Sequence, residues 1–235
     1  MDTCEIFNLG LIDYLQAWEL QQALVKDVLL GNRTNTLLLL EHPNVFTIGR
    51  RGTEDHILLS QNQLSDFDIP VHSVDRGGEV TYHGPGQLIA YPIINLKNWG
   101  GPITYVRKLE EIIINTLKDY GIDGAKVLGS TGVWVKQYKI GAIGVKISQG
   151  ITHHGLSLNI NTDLSFYKYI VPCGSEDARV TSMRKLMKLP TPLEDVSYSL
   201  QYHFGKLMQL RMVEKAKETL FTTLVSNKAK VSSKI

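Results

Sequence analysis

Two residues are equipped for group transfer: a cysteine between rigid and permissive backbone, and a lysine on an apolar strand. In Ile170-Val171-Pro172-Cys173-Gly174 the thiol follows a proline, which fixes φ, and precedes a glycine, which does not. A turn of that kind exposes a nucleophile, and Arg179 and Arg184 would favour its thiolate if they folded over it. Taken alone, the same residue also reads as a small buried hydrophobe. In the segment Trp134 to Val145, Lys139 enters the second strand of a predicted hairpin, and strand alternation puts it on the face of Gly141 and Ile143. Withdrawn from water, its amine exchanges protons near neutral pH; left exposed, it is an ordinary strand lysine.

A third segment, Arg76 to Gln87, carries four glycines and a proline in twelve residues. Glycine permits positive φ and close backbone approach to a ligand, while Arg76, Thr81 and His83 offer directed polar contacts; a tight multi-turn connection is the alternative. Two nucleotide readings fail. A Walker loop needs Lys and then Ser or Thr after its last glycine, but Gly86 is followed by Gln87 and Leu88. A dinucleotide fingerprint lies between a strand and a helix, whereas this segment runs into the strand-like Leu88 to Ile94. In Thr152-His153-His154-Gly155 the two imidazoles are neighbours on a strand and are expected on opposite faces, so no shared metal ion is predicted.

The elements around these segments follow from periodicity. Asp13 to Leu30 reads as an amphipathic helix, and Thr36–Leu40 and Val45–Ile48 as strands separated by His42-Pro43-Asn44. Val71–Val74 and Leu88–Ile94 are strand-like, with Arg76–Gln87 a structured loop between them. Pro102 opens a helix that Gly121 ends, with Val106, Leu109, Ile113 and Leu117 on one face. Ala125 to Ile160 predicts several antiparallel strands with turns at Gly129-Ser130 and Gln149-Gly150. Thr191-Pro192-Leu193-Glu194 predicts a Thr-capped helix to about Leu210, with Val196, Leu200, Phe204 and Leu207 buried. Met212–Val225 is expected to be a further helix, so the chain divides into a single catalytic domain, 1–210, and a helix with a frayed tail, 211–235.

Composition limits the function classes. The 235 residues carry 25 basic and 23 acidic side chains, too balanced for a general nucleic-acid or membrane-surface binder. Between Asp123 and Asp163 lie Lys126, Lys136, Lys139 and Lys146 without one acidic residue, a stretch that could meet an acidic partner. Cys4 and Cys173 are too few for a disulfide framework, and Cys4 is expected to be a buried strand residue. Met1 to Glu5 lacks the features of a signal peptide and no apolar run approaches spanning length, so a cytoplasmic location is expected.

Together, Arg76-Gly-Gly-x-x-Thr-x-His-Gly-Pro-Gly-Gln87, Gly132-Val-Trp134, Lys139-Ile-x-Ala-Ile-Gly144, His154-Gly155 with Asn159, and Pro172-Cys-Gly174 followed by Thr181-Ser182 resemble the lipoyl(octanoyl) transferase family over roughly residues 5 to 210. The resemblance implies an α+β, biotin/lipoate protein ligase-like fold: a mixed, mostly antiparallel sheet flanked by helices. It implies Cys173 as nucleophile and Lys139 as acid/base. Substrate contacts fall on Arg76, Gly77, Gly78, Glu79, Val80, Thr81, Tyr82 and His83, on Ala142, Ile143 and Gly144, and on Gly155, Leu156 and Ser157, where Ser157 stands in place of the alanine of many members.

The resemblance further implies acyl transfer through a cysteine thioester, with no ATP and no metal, the octanoyl group arriving on the phosphopantetheine of acyl carrier protein. The acceptors it implies are the lipoyl domains of 2-oxoacid dehydrogenase E2 subunits and the glycine cleavage H protein, with no nucleic acid and no membrane partner. Backbone amides near Cys173 or Gly77-Gly78 are candidate oxyanion donors. Transfer between two lipoyl domains, ATP-dependent ligation, and non-catalytic acyl binding remain as alternatives.

Overall fold

The computed structural model describes residues 2–97, 99–171 and 179–220. Strand β1 (Thr3–Leu11) leads into α1 (Tyr14–Leu29), whose first amides are capped by the Asp13 carboxylate at Leu15 N and Gln16 N. Then come β2 (Asn35–Glu41), β3 (Val45–Ile48), the short α2 (Gln61–Asp66), β4 (Val71–Ser73), β5 (Val80–His83) and β6 (Gln87–Ile93). Helix α3 (Gly101–Asp119) precedes β7 (Val133–Val135), β8 (Tyr138–Ser148) and β9 (Ile151–Asn159). The last elements are β10 (Arg179–Val180), α4 (Met183–Met187), α5 (Leu193–Met208) and β11 (Arg211–Glu214).

Eight strands form one mixed sheet in the order β10-β8-β9-β6-β2-β1-β11, with β7 paired to β8. The run Leu37-Leu38-Leu39-Leu40 shows why this sheet is covered on both sides, as a strand with no polar face must be. Leu37 and Leu39 pack with α3 and α5, including Leu109, Ile113, Leu200 and Phe204; Leu38 and Leu40 pack with Ala17, Leu20 and Leu24 of α1. A smaller sheet, β4-β3-β5, closes its own apolar cluster around Phe46, Val80 and Tyr82. The hairpin between β8 and β9 turns on Gln149 (φ 50°) and Gly150 (φ 83°), two left-handed residues whose twist matches the strands.

Four expectations change. The segment Arg76–Gln87 is not all loop, because Val80–His83 pairs with β3 as β5. Thr191 does not cap α5: Pro192 holds the cap position without a side-chain bond, while Thr191 Oγ1 meets Met187 Sδ at 3.8 Å. Leu207 is only partly buried. Met212 does not begin a helix, since Arg211–Glu214 pairs in parallel with Thr3–Ile6, so the main sheet extends past residue 210. Pairing to a buried strand satisfies that backbone where a helix would leave the β1 edge open. Residues 217–220 are helical, as expected, and the remainder of the expected tail helix, beyond residue 220, lies outside the described residues.

Candidate active site

A cavity of about 980 Å³ opens between the glycine segment and the β7–β8 ribbon, and Lys139 lines it. Register fixes the direction of that side chain. Val133 pairs with Gly141 but Trp134 pairs with Lys139, so a bulge inserts Ile140 into β8. Paired residues share a face and neighbours on a strand do not, so Lys139 lies with Trp134 and Ala142, opposite Gly141 and Ile143. The alternation expected from sequence is broken by that extra residue, and Ile140 instead joins the core.

Around the amine the fit is close. Lys139 Nζ stands 4.9 Å from the Trp134 ring centroid. Gly132, at φ 134°, leaves room for it, since a Cβ there would lie 2.7 Å from Lys139 Cε and 2.7 Å from Gly141 O. Its N–H donates to the buried Glu110 carboxylate at 3.2 Å, and Arg107 pairs with that carboxylate at 2.7 Å. Beside it β10 runs parallel to β8, with Val180 opposite Lys139, and the Thr181 N–H donates to Lys139 O at 2.9 Å. Cys173, the expected nucleophile, lies outside the described residues, as do Pro172 and Gly174.

Of the expected substrate contacts, Gly77, Gly78, Glu79, Thr81, Ala142, Ile143, Gly144 and Ser157 line the cavity with Lys139. Arg76, His83, Gly155 and Leu156 instead surround a void of about 30 Å³, which Ala142, Gly144 and Ser157 also border, and Val80 and Tyr82 belong to the apolar cluster of the small sheet. Arg76 is a clamp. Its guanidinium donates to Thr47 O at 2.7 Å, Thr47 Oγ1 at 2.8 and 3.2 Å, Gly77 O at 3.0 Å and Glu79 O at 2.8 Å, tying the glycine segment to β3. The Gly77 N–H is committed to Val145 O at 3.0 Å, which removes it as an oxyanion donor. Gly144 permits that approach, because a Cβ there would lie 2.8 Å from Gly77 O.

Behind the cavity sits a buried set of imidazoles. His42 donates from Nδ1 to Ile12 O (2.7 Å), and its Nε2 lies 2.9 Å from the Tyr91 hydroxyl, which donates to it when the ring is neutral. Burial pushes His42 and His154 down to about 4 and His83 to about 3, where the neighbouring His42 imidazole further disfavours a second positive charge. His83 meets Gln87 Oε1 at 2.7 Å, Gln87 Nε2 donates to Asn159 Oδ1 at 2.9 Å, and Asn159 Nδ2 donates to Thr181 O at 3.1 Å. This chain of bonds links the glycine segment to the strand beside Lys139. In the sequence Gln87 and Asn159 are only motif letters, and nothing in their type announces the connection.

The adjacent histidines also depart from expectation. His154 adopts φ 53°, which breaks the pleat, so its ring lies 5.1 Å from that of His153 and both face Asp75. Ligand atoms of Asp75, His153 and His154 lie within 4.8 Å of one another. A cation is already supplied there, because Lys146 Nζ stands 2.7 Å from Asp75 Oδ2. Burial raises the Asp75 carboxyl, but the hydrogen bonds from Lys146 and His154 outweigh it and hold it well below the usual carboxylate range. Lys146 is therefore a tether, and Lys126 to Lys146 does not form one continuous basic surface.

The sheet, its helical layers and the cavity place the chain among the lipoate and biotin ligase folds. It superposes on a putative lipoate protein ligase of T. acidophilum with bound lipoic acid at a TM-score of 0.72 and 15% identity, covering 97% of this chain and 96% of that one. On a biotin protein ligase of Aquifex aeolicus the TM-score is 0.51 at 13% identity, covering 99% and 78%. The family model of the lipoyl protein ligase A/B catalytic domain matches residues 13–205, and the chain belongs to that family. It is 44% identical over 214 residues to an octanoyltransferase of Solibacter usitatus, covering 91% of this chain and 96% of the relative. An octanoyltransferase of Chloroflexus aggregans is 45% identical over 217 residues, covering 91% and 98%. Among the described residues no helix is long and apolar enough to cross a membrane.

Proposed function

We propose that the chain transfers an octanoyl group from acyl carrier protein to a lysine of lipoyl domains, through a thioester on Cys173 with Lys139 as acid/base, the first step of protein lipoylation. The observation that carries this reading is the setting of Lys139. Its amine lines a cavity bordered by Ile140, Ile143 and Val145, and β10, which begins six residues after Cys173, is paired against its backbone. The similarity to octanoyltransferases over nine-tenths of the chain supports the same chemistry.

In the first half, the Lys139 amine takes the Cys173 thiol proton and the thiolate attacks the octanoyl carbonyl. The carbon–sulfur bond to the carrier then breaks, and the Lys139 ammonium returns the proton to the departing phosphopantetheine sulfur. In the second half, the lipoyl-domain amine attacks the acyl-Cys173 carbonyl and a carbon–nitrogen bond forms. Cys173 leaves as thiolate, and the proton lost by the amine passes through Lys139 back to it. The acyl group arrives activated, so neither ATP nor a metal takes part. The acceptors are lipoyl domains of 2-oxoacid dehydrogenase E2 subunits and the glycine cleavage H protein.

The test offers a lipoyl domain three acyl sources, octanoyl carrier protein, an octanoylated lipoyl domain, and octanoate with ATP, and reads octanoyl-lysine by mass. Transfer from the carrier without ATP is expected. Transfer only from the second lipoyl domain would replace the reading with an amidotransferase, transfer only with ATP and free acid would make it a ligase, and binding without turnover would leave an acyl-binding module.

A further inference from the structure

The mouth of the Lys139 cavity carries a cationic group that the acyl transfer chemistry leaves unused. Arg50, Arg51 and Arg179 line the cavity and are exposed, and Glu79 is its one acidic lining residue among the described residues. None of the three arginines forms an ion pair with a described carboxylate, whereas Arg33, Arg107 and Lys146 do. Their backbones are held in place. The Arg50 N–H donates to Arg76 O at 3.1 Å and the Arg51 N–H to Gly78 O at 3.1 Å, so the backbones of both arginines are anchored to the clamped glycine segment. Gly49 makes that contact possible, since a Cβ there would lie 2.5 Å from Gly78 O. On the opposite rim, Arg179 stands in β10 beside Tyr138, whose hydroxyl it lowers by hydrogen bonding, and Lys185 lies 5.8 Å from the Tyr138 ring centroid.

Guanidinium groups that line one cavity and have no carboxylate partner among the described residues suit an anion with several acceptor oxygens, and phosphate is matched by their fork geometry. The rest of the described lining carries no second cation beside Lys139: uncharged polar side chains such as Thr81, Ser157 and Asn159 stand among glycines and the aliphatic Val106, Ile140, Ile143 and Val145. An occupant with an apolar acyl end and an anionic outer end therefore fits its polarity along its depth. We propose that Arg50 and Arg51, with Arg179 across the mouth, form a phosphate subsite that holds the phosphodiester of a phosphopantetheine arm while its thioester reaches Lys139. This rests on the reading of a carrier-protein donor and locates the recognition of that donor away from the Lys126 to Lys146 stretch. Coenzyme A presents the same chemistry and would occupy the same subsite.

The experiment compares octanoyl-4′-phosphopantetheine with octanoyl-pantetheine, which differ only by the phosphate, using the full chain and reading kcat/KM for enzyme acylation. The wild type is expected to favour the phosphorylated thioester at least tenfold, with the preference shrinking as salt is raised. In the R50Q/R51Q variant that ratio should fall towards one, and in R179Q it should fall partway. A wild-type ratio near one, or a ratio that R50Q/R51Q retains, overturns the subsite. Because a ratio of two donors is read on the same preparation, loss of folded enzyme cannot mimic the expected result. Octanoyl carrier protein and octanoyl-coenzyme A serve as further arms. If both small thioesters behave as expected but the carrier protein fails to acylate the enzyme, the donor reading fails and the phosphate subsite stands.

Discussion

Replacing Arg76 by lysine should separate the clamp from the chemistry. The guanidinium makes five hydrogen bonds to β3 and the glycine segment, three to Thr47, one to Gly77 O and one to Glu79 O, and the residue is 7% exposed. A lysine ammonium has three donors on one nitrogen, so at least two of these contacts are lost and their acceptors stay buried. At roughly 1.5 kcal/mol for each charged hydrogen bond lost, the low end of the usual range, the cost is about 3 kcal/mol. For a chain of this size that corresponds to a fall in Tm of ~6 to 12 °C. The freed carbonyls belong to the segment that lines the cavity, so kcat/KM for octanoyl transfer should fall as well. Calorimetry and a transfer assay on R76K, T47V and the double variant give the coupling. Thr47→Val removes two of the same bonds, so the two losses should be less than additive. An R76K protein melting within about 2 °C of wild type would refute the clamp.

Gly132→Ala places a Cβ 2.7 Å from Lys139 Cε at a φ of 134° that alanine tolerates poorly. Steady-state assays should show turnover falling at least ~10-fold, about 1.4 kcal/mol, and unchanged turnover would deny that Lys139 needs this niche. Acid should unfold the protein early: His42, His83 and His154 sit at about 4, 3 and 4 when folded but near 6.5 when unfolded. Because the folded pKa values are depressed, the unfolded state binds more protons, so stability is complete above pH ~6.5 and declines as pH falls towards ~4, by roughly 3 kcal/mol for one such imidazole. Urea midpoints between pH 7.5 and 4.5 check this, and a flat profile would contradict it. Cys4 is fully buried and its thiol is raised by burial with Glu5 adding to it, so iodoacetamide should leave it unlabelled in the native protein. Native labelling of Cys4 would show that β1 is not packed as described.

The parts of the fold with strong periodicity are legible in the sequence. Leu109, Ile113 and Leu117 mark the buried face of α3, and Asp13 marks the start of α1, because spacing and capping are local properties. What stays hidden depends on tertiary pairing. Arg211–Glu214 has no strand signal of its own and becomes a strand because β1 offers an edge. The face of Lys139 differs from the expected one because alternation assumes no bulge, and the bulge shows only in the register with β7. The same rule separates His153 from His154, and φ 53° at His154 suspends it. The glycine segment is recognisable as a site from its residue types, but its division into cavity-lining Gly77, Gly78, Glu79 and Thr81 and clamping Arg76 depends on what Thr47 places beneath it.

A covalent acyl group on Cys173, formed with the help of Lys139, is the step on which the proposed function turns. Intact mass of the chain incubated with octanoyl carrier protein, without a lipoyl domain, tests it most directly. One octanoyl adduct is expected, mapped to Cys173, absent in Cys173→Ser, formed far more slowly in Lys139→Ala, and discharged when a lipoyl domain is added. A wild-type chain that transfers octanoyl to the lipoyl domain while never carrying the adduct would contradict it.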